Sequence, residues 1–374
     1  MKLAIISHTQ HYKRPDGTIE GWGATVTEIN HLTTIFEEIY HIAALVETEI
    51  PTSSIPYINE KVVFVPINRV GGKNLKDKLD IIWQIPEVIS KVNQVFKKVD
   101  VFQFRAPTGM GVYLIPYLTF FCSKKGWFKY AGNWKEINPA FGFAFQRWFL
   151  KNQRRKVTIN GAWNNQHRHC ISFENPCLTE EDRVKGKKVI EEKKWDSKKV
   201  NFCFVGALNE KKGVDKIIEV LNGIDCKYID TFYFVGGGNQ IQKYKFGLKD
   251  VKCTINFTGF LNKDEIIEIY KNCQFIVLPS DNEGFPKVIG EAMNYGCIPI
   301  VSDVSCISQY ITNMKNGFLI APNTVDKLTE LLEYVINLDH AICKKMILSN
   351  YVQVQKFTYQ YYNDQLVEKV IYDI

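Results

Sequence analysis

The sequence has no Cys-x-x-Cys, no Asp-x-Asp and no apolar run long enough to cross a bilayer. Without Cys-x-x-Cys, neither a zinc ribbon nor a thioredoxin-type redox pair is visible. Ten cysteines in 374 residues make no disulfide framework, and free thiols in a reducing cytoplasm are expected. The one metal-like grouping, His167-Arg168-His169-Cys170 with Cys177 beyond it, fits no standard zinc spacing. Missing Asp-x-Asp removes a common way of putting two carboxylates on one divalent cation. The longest apolar stretch, Gly111 to Phe121, contains Pro116 and falls short of the roughly 18 residues of a spanning helix. The first residues, Met1 to His8, are too short an apolar stretch to read as a signal peptide.

What is present is an ordinary globular composition: 45% hydrophobic and 23% charged. The length exceeds the roughly 250–300 residues at which a single core stops growing, so two domains are expected. Charge is uneven. Residues 1–170 hold 22 Lys+Arg against 13 Asp+Glu, net +9, while residues 171–374 hold 25 against 27, net −2. The first half is therefore the one expected to meet something anionic.

Short apolar runs alternate with helical periodicity throughout. Strands are predicted at Lys2–His8, Ile42–Val46, Val62–Ile67, Val99–Phe104 and Val157–Asn160. A polar loop with Gly21-Trp22-Gly23 separates the first strand from a helix carrying Val26, Ile29, Leu32, Phe36 and Ile39. The second half predicts strands at Asn201–Val205, Phe232–Val235, Ile255–Phe257, Phe275–Leu278 and Ile298–Val301, with helices between. A last amphipathic helix carries Tyr359, Tyr362, Leu366 and Val370. This alternation predicts an α/β chain with two Rossmann-like, doubly wound parallel-sheet domains. Ligands of such sheets bind beyond the carboxyl ends of the strands, so the two domains are expected to face each other across a cleft. The expected division is 1–170, 171–352 and a helix at 353–374 packing back toward the first domain.

Chemistry concentrates in Asp281-Asn282-Glu283-Gly284-Phe285-Pro286-Lys287-Val288-Ile289-Gly290-Glu291. Pro286 suits the first turn of a helix, where a missing N–H is harmless. The free N–H groups of that turn attract phosphate or sugar hydroxyls. Glu283 precedes the helix and Glu291 lies five residues into it, about 7–8 Å along its axis. Two carboxylates so placed can grip two ends of one extended ligand. Alone, the bland alternative is a dipole-complementing Glu283 and a solvated Glu291. Gly236-Gly237-Gly238 follows a strand but is not Gly-x-Gly-x-x-Gly, which weakens any dehydrogenase reading.

These residues belong to a longer series: Phe204-Val205-Gly206-Ala207-Leu208, Lys211-Lys212-Gly213, Val235 to Gly238, Phe257-Thr258-Gly259-Phe260-Leu261 and Val277-Leu278-Pro279-Ser280. It continues through Glu283 to Pro286, Glu291-Ala292-Met293, Gly296 to Val301 and Asn316-Gly317-Phe318-Leu319. In that order, over almost all of residues 200–322, the chain resembles glycosyltransferase family 4, whose members have the GT-B fold. The resemblance over 1–170 is mostly architectural. It implies a retaining transfer from a nucleotide-diphosphate sugar, with no cofactor, to a saccharide or lipid-linked saccharide in bacterial surface polysaccharide synthesis.

Carried over, Glu291 binds the ribose hydroxyls and Glu283 faces the donor sugar. Lys212 neutralises the diphosphate, and Gly284 and Phe285 offer backbone N–H groups. Phe260 and Leu261 sit where the base docks, and Gly206, Gly236, Lys211 and Lys287 complete the donor set. Gly21 and Gly23 would let backbone approach phosphate or acceptor. The family commonly has Arg where this chain has Ala207, so Lys211 or Arg105, at a strand end, is expected to supply the second charge. The missing Asp-x-Asp agrees with a metal-independent reaction. Two other readings are a nucleotide-sugar-binding partner subunit with little turnover, and an epimerase or phosphorylase on the same fold.

Phe120–Lys156 holds eleven aromatics and nine Lys+Arg against Glu136 alone, a net +8. Rings among cations suit an anionic bilayer surface, so a cytoplasmic protein peripheral to the inner face of the membrane is expected. Packing in the first domain's core competes for the same aromatics. Nucleic acid would suit the strip but would leave the motifs of the second half without a role.

Overall fold

The structure is a computed structural model that describes residues 1–69, 75–193, 195, 199–249 and 251–372, with backbone alone for 75–81. It divides into unit 1, Met1–Phe173 with Tyr362–Ile374, and unit 2, Glu174–Tyr361. The last boundary therefore falls inside the final helix, Tyr359–Leu366, and residues 353–361 stay with unit 2.

Unit 1 has nine strands: Lys2–Lys13 (β1), Ile19–Trp22 (β2), Glu38–Leu45 (β3), Ser54–Pro56 (β4), Val62–Ile67 (β5), Val101–Ala106 (β6), Lys125–Tyr130 (β7), Val157–Asn160 (β8) and Cys170–Phe173 (β9). β5, β3, β1, β6, β7, β8 and β9 pair in parallel in that order. Successive residues of β1 feed opposite faces, as a strand requires. Leu3 and Ile5 pack with Ile29, Leu32, Tyr362, Leu366 and Val370. Ala4 and Ile6 pack with Val88, Val92, Leu114 and Leu150 from other helices. Both faces are covered, which is why residues 3–6 are fully buried.

Two expectations change here. The polar stretch after His8 is not a loop: β1 runs on to Lys13 and turns back antiparallel into β2. His11 is buried within it, its ring bonded to the Thr9 carbonyl at 3.0 Å and the Tyr57 hydroxyl at 2.8 Å. The helix after it, Gly23–Leu32, is shorter than the spacing predicts, because Ile39 lies in β3. Phe36 and Ile39 nevertheless join the same core cluster, which is how they mimic one helical face.

Unit 2 is a six-stranded parallel sheet of Val200–Val205 (β10), Ile229–Val235 (β11), Thr254–Gly259 (β12), Phe275–Leu278 (β13), Ile298–Ser302 (β14) and Phe318–Ile320 (β15). The order is β12-β11-β10-β13-β14-β15. Cys203 and Val205 pack toward Ile267, Tyr270 and Ala292. The alternate residues make a phenylalanine layer, with Phe232–Phe234 ring centroids 4.8 Å apart and Phe234–Phe257 4.7 Å. In the sequence β15 shows only as part of the Asn316-Gly317-Phe318-Leu319 motif, because three residues are too few to show a period.

Candidate functional site

In unit 2 the loops that leave β10, β11 and β13 meet. Gly236, at φ +126°, donates its N–H to the Gly259 carbonyl at 2.8 Å. A Cβ there would stand 2.0 Å from the Gly206 carbonyl oxygen. Gly206 itself donates to Val235 at 2.9 Å. This glycine is therefore a packing necessity that draws the two strand ends together. Phe260 lies against Gly237, where a Cβ would reach its ring at 2.2 Å, and its own side chain is 62% exposed. An exposed ring on a backbone shelf suits stacking of a flat base. Leu261 beside it is half-buried.

Lys212 closes a short turn, Glu210–Lys212, with its N–H on the Asn209 side chain at 3.1 Å. Gly213 follows at φ +74°, where a Cβ would stand 2.2 Å from the Pro279 carbonyl oxygen. That close approach sets Lys212 beside the loop after β13, and its ammonium is ion-paired with Glu283. Asp281 donates its N–H to the Lys211 carbonyl at 3.0 Å and holds Lys216 at 2.6 Å. The exposed Lys211 ammonium has no carboxylate partner among the described residues.

The helix Lys287–Asn294 starts behind Pro286, which is its cap rather than its first helical residue. The N–H groups of Gly284 and Phe285 donate to no protein acceptor among the described residues. The Phe285 ring is locked beneath, 4.6 Å from Phe357 and 4.8 Å from Tyr310. The loop presents backbone donors while its side chain is anchored. Lys287 lies over the Tyr359 ring at 5.9 Å. Glu291 is half-buried on this helix. Burial pushes its carboxyl up to about 6, against the pull of Lys287 and Lys263. A carboxylate kept on a low-dielectric shelf is costly unless a ligand donates to it.

Sequence reasoning missed what steadies this loop. Asn323 donates to the Pro279 and Ser280 carbonyls at 3.1 and 3.2 Å, and Ser302 to Ser280 at 2.5 Å. Neither position carries a sequence signal, because each acts through the fold.

The residues expected of unit 1 are placed differently. Arg105 is buried in β6 and not a free strand-end cation. Its guanidinium donates to Glu28 at 3.0 Å and Gln103 at 2.8 Å, and Lys129 shares Glu28 at 2.5 Å. A buried cation must be paired, and Glu28 on the inner face of helix Gly23–Leu32 pairs it. The signal for this was a Glu between Val26 and Ile29. Gly21 lies in β2, where a Cβ would stand 2.4 Å from the His11 ring. Gly23 opens the helix with its N–H on the Ser53 carbonyl at 2.9 Å. Both glycines therefore serve packing and pairing here. Among the described residues no three His, Cys, Asp or Glu side chains are placed to hold a metal ion.

Residues 186–351 match the family described as glycosyl transferases group 1. An uncharacterized glycosyltransferase of Methanocaldococcus jannaschii is 32% identical over 139 residues, 37% of this chain and 38% of that protein. The chain thus spans less than two fifths of the length of the curated relatives it first matches. Anabaena HepE, solved in complex with UDP and glucose, is 15% identical over 100% of both chains with a TM-score of 0.69. WaaG, a glycosyltransferase involved in lipopolysaccharide biosynthesis, is 12% identical over 98% of this chain and 99% of its own, with a TM-score of 0.64. At such identities the likeness is one of fold, and that fold is GT-B. Residues 186–351 thus match the glycosyl transferases group 1 family, within a chain that has the GT-B fold.

Proposed function

We propose that this protein is a retaining, metal-independent glycosyltransferase of the family 4 type, which moves a sugar from a nucleotide-diphosphate sugar held by unit 2 to a saccharide or lipid-linked saccharide in surface polysaccharide synthesis. The observation that carries the reading is the Lys212–Glu283 pair beside the unused N–H groups of Gly284 and Phe285. A diphosphate arriving there competes for the Lys212 ammonium and meets backbone donors at a helix start. Glu283, released from Lys212, then accepts hydrogen bonds from the donor sugar. Glu291 accepts from the ribose diol, and the base stacks on Phe260. HepE, with its UDP and glucose, supports a nucleotide-sugar donor. WaaG, with its role in lipopolysaccharide synthesis, supports a glycolipid setting. The retaining outcome rests on the family 4 resemblance.

A second reading is a donor-binding partner subunit with little turnover of its own. Ala207, exposed where the family commonly has Arg, favours it. The unpartnered Lys211 favours the active enzyme. Turnover by the purified protein separates the two. Thermal-shift screening of nucleotide sugars is the first test, since a ligand at about 100 times its Kd adds about 2.7 kcal/mol. No stabilisation by any nucleotide sugar would sink the proposal. Activity should also survive excess EDTA, and complete loss restored by magnesium or manganese would contradict metal independence.

Unit 1 is proposed to rest on an anionic bilayer at the inner face of the cell membrane. Trp127, Phe128, Tyr130 and Trp134 are core, while Phe120, Phe121, Phe141 and Trp148 are 60–88% exposed. These rings belong to or adjoin the helices Gly111–Phe120 and Phe141–Lys151, and Phe120 and Trp148 both touch Phe149. Part of the basic strip is structural: Arg147 and Arg155 donate to backbone carbonyls and Lys129 to Glu28. The aromatic face is therefore the main contact, with Lys125 and Arg154 as exposed cations. Changing Phe120, Phe121 and Trp148 together to Ser is expected to abolish co-sedimentation with anionic vesicles. High salt should weaken it, as the Debye length falls from about 10 Å at 0.1 M to about 3 Å at 1 M. Unchanged binding by the triple variant would remove this face from the membrane.

A further inference from the structure

The segment His167-Arg168-His169-Cys170 has no part in the reading above. In unit 1, His167 and Cys170 line a cavity of about 80 Å³ whose other walls include Trp134, Trp163, Lys135 and Lys151. The two tryptophans stand in the segments just beyond the carboxyl ends of β7 and β8. The Trp163 indole is pinned by its N–H on the Asn160 carbonyl at 3.0 Å. Each lysine is held near an indole: Lys135 Nζ is 5.7 Å from the Trp163 ring centroid, and Lys151 Nζ is 5.5 Å from that of Trp134.

Neither lysine has a carboxylate within ion-pairing distance among the described residues. The charges that bear on Lys151 are Arg147 and Lys135, both of its own sign. The remaining group is the Cys170 thiol, which burial pushes up to about 11 and so keeps neutral at pH 7. Arg147 is already committed to the carbonyls of Asn133, Trp134 and Glu136. Two lysines thus line one small hollow with no carboxylate on either: Lys135 is exposed, while the half-buried Lys151 is disfavoured as a cation by burial and by the like charges of Arg147 and Lys135, a cost that an anion in the hollow would offset. The hollow has room for one compact oxyanion and not for a nucleotide.

We propose that this pocket binds one phosphate group of the acceptor. The proposal rests on the transferase reading above, which is what calls for an acceptor. The lysines exchange their contact with the indoles for charge-assisted bonds to phosphate oxygens, and the indole faces become available to an attached sugar ring. The phosphate belongs either to a polyprenyl lipid or to a soluble sugar phosphate. The two sources present the same group to Lys135 and Lys151.

The full-length protein is titrated with inorganic phosphate and glucose 1-phosphate, reading tryptophan fluorescence. It is also sedimented with neutral vesicles doped with polyprenyl phosphate or, at equal charge, with phosphatidylglycerol. Saturable glucose 1-phosphate binding supports the pocket and a soluble source. Preference for polyprenyl phosphate over phosphatidylglycerol supports the pocket and a lipid source. Lys135→Gln/Lys151→Gln is expected to weaken phosphate binding about tenfold or more, and Lys135→Arg/Lys151→Arg to retain it. In the titrations with inorganic phosphate and glucose 1-phosphate, where no vesicle is present, Lys125→Gln/Arg154→Gln removes the same charge from exposed positions and is expected to cost about twofold. No binding of any phosphate probe by wild type, or equal loss in the two Gln variants, would overturn the pocket. Nucleotide binding to unit 2 should be unchanged in all three variants. Its absence from wild type would overturn the transferase reading separately, with the phosphate titration still judging the pocket.

Discussion

Glu291→Gln is expected to stabilise the ligand-free protein at pH 7.5 by up to about 2 kcal/mol and to weaken nucleotide binding at least about tenfold. Burial raises the Glu291 carboxyl from 4.5 to about 6. A carboxyl raised on folding favours the folded state fully below its unfolded value and loses that benefit as pH rises through its folded value. Glu291 therefore adds nothing unfavourable below about pH 4.5 and costs most above about pH 6. Glutamine cannot ionise, so the advantage of the variant should be present at pH 7.5 and gone at pH 4.5. Binding runs the other way. A ribose diol donates two hydrogen bonds, which an ionised carboxylate accepts best. Wild-type affinity should then weaken as pH falls from 7 to 5, and the variant should lack that dependence. Urea melts at the two pH values and calorimetric titration with the nucleotide found by screening provide the check. A variant less stable than wild type at pH 7.5, or one with wild-type nucleotide affinity, would take Glu291 out of the site.

Lys212→Ala is expected to lower kcat/KM by about 100-fold or more, and Lys211→Ala by about tenfold or less. Lys212 is the cation that Gly213 and the Glu283 pair hold in place, whereas the Lys211 side chain is exposed and must be ordered by the ligand. Removing Lys212 also leaves Glu283, whose side chain is 9% exposed, without its partner. Some loss of stability should follow, because an uncompensated buried charge is costly. Lys212→Ala/Glu283→Gln separates the two effects: stability should return toward wild type while turnover stays low. Turnover that recovers along with stability would show that Lys212 acts on the fold alone. Equal losses for Lys211→Ala and Lys212→Ala would assign the diphosphate to both.

The sequence by itself determined the class of fold and the order of its parts. Buried strands such as Leu3–Ile6 and Phe202–Val205 are continuous apolar runs because both faces are covered, and a helix declares its inner face every three or four residues. The candidate site of unit 2 was legible as a cluster for a related reason. Glu283, Gly284, Phe285 and Glu291 lie within one loop and the helix it begins, so their spacing along the chain is close to their spacing in space. What only the tertiary structure decided are relations between distant segments. Arg105 looks free until Glu28, 77 positions away, is seen to hold it. Gly21 looks like a loop glycine until the His11 ring is seen against it. Lys212 and Glu283 are 71 positions apart, and the final residues return to the core of unit 1. Such pairs depend on which strands are neighbours in the sheet, and a local period of two or of three and a half contains no record of strand order.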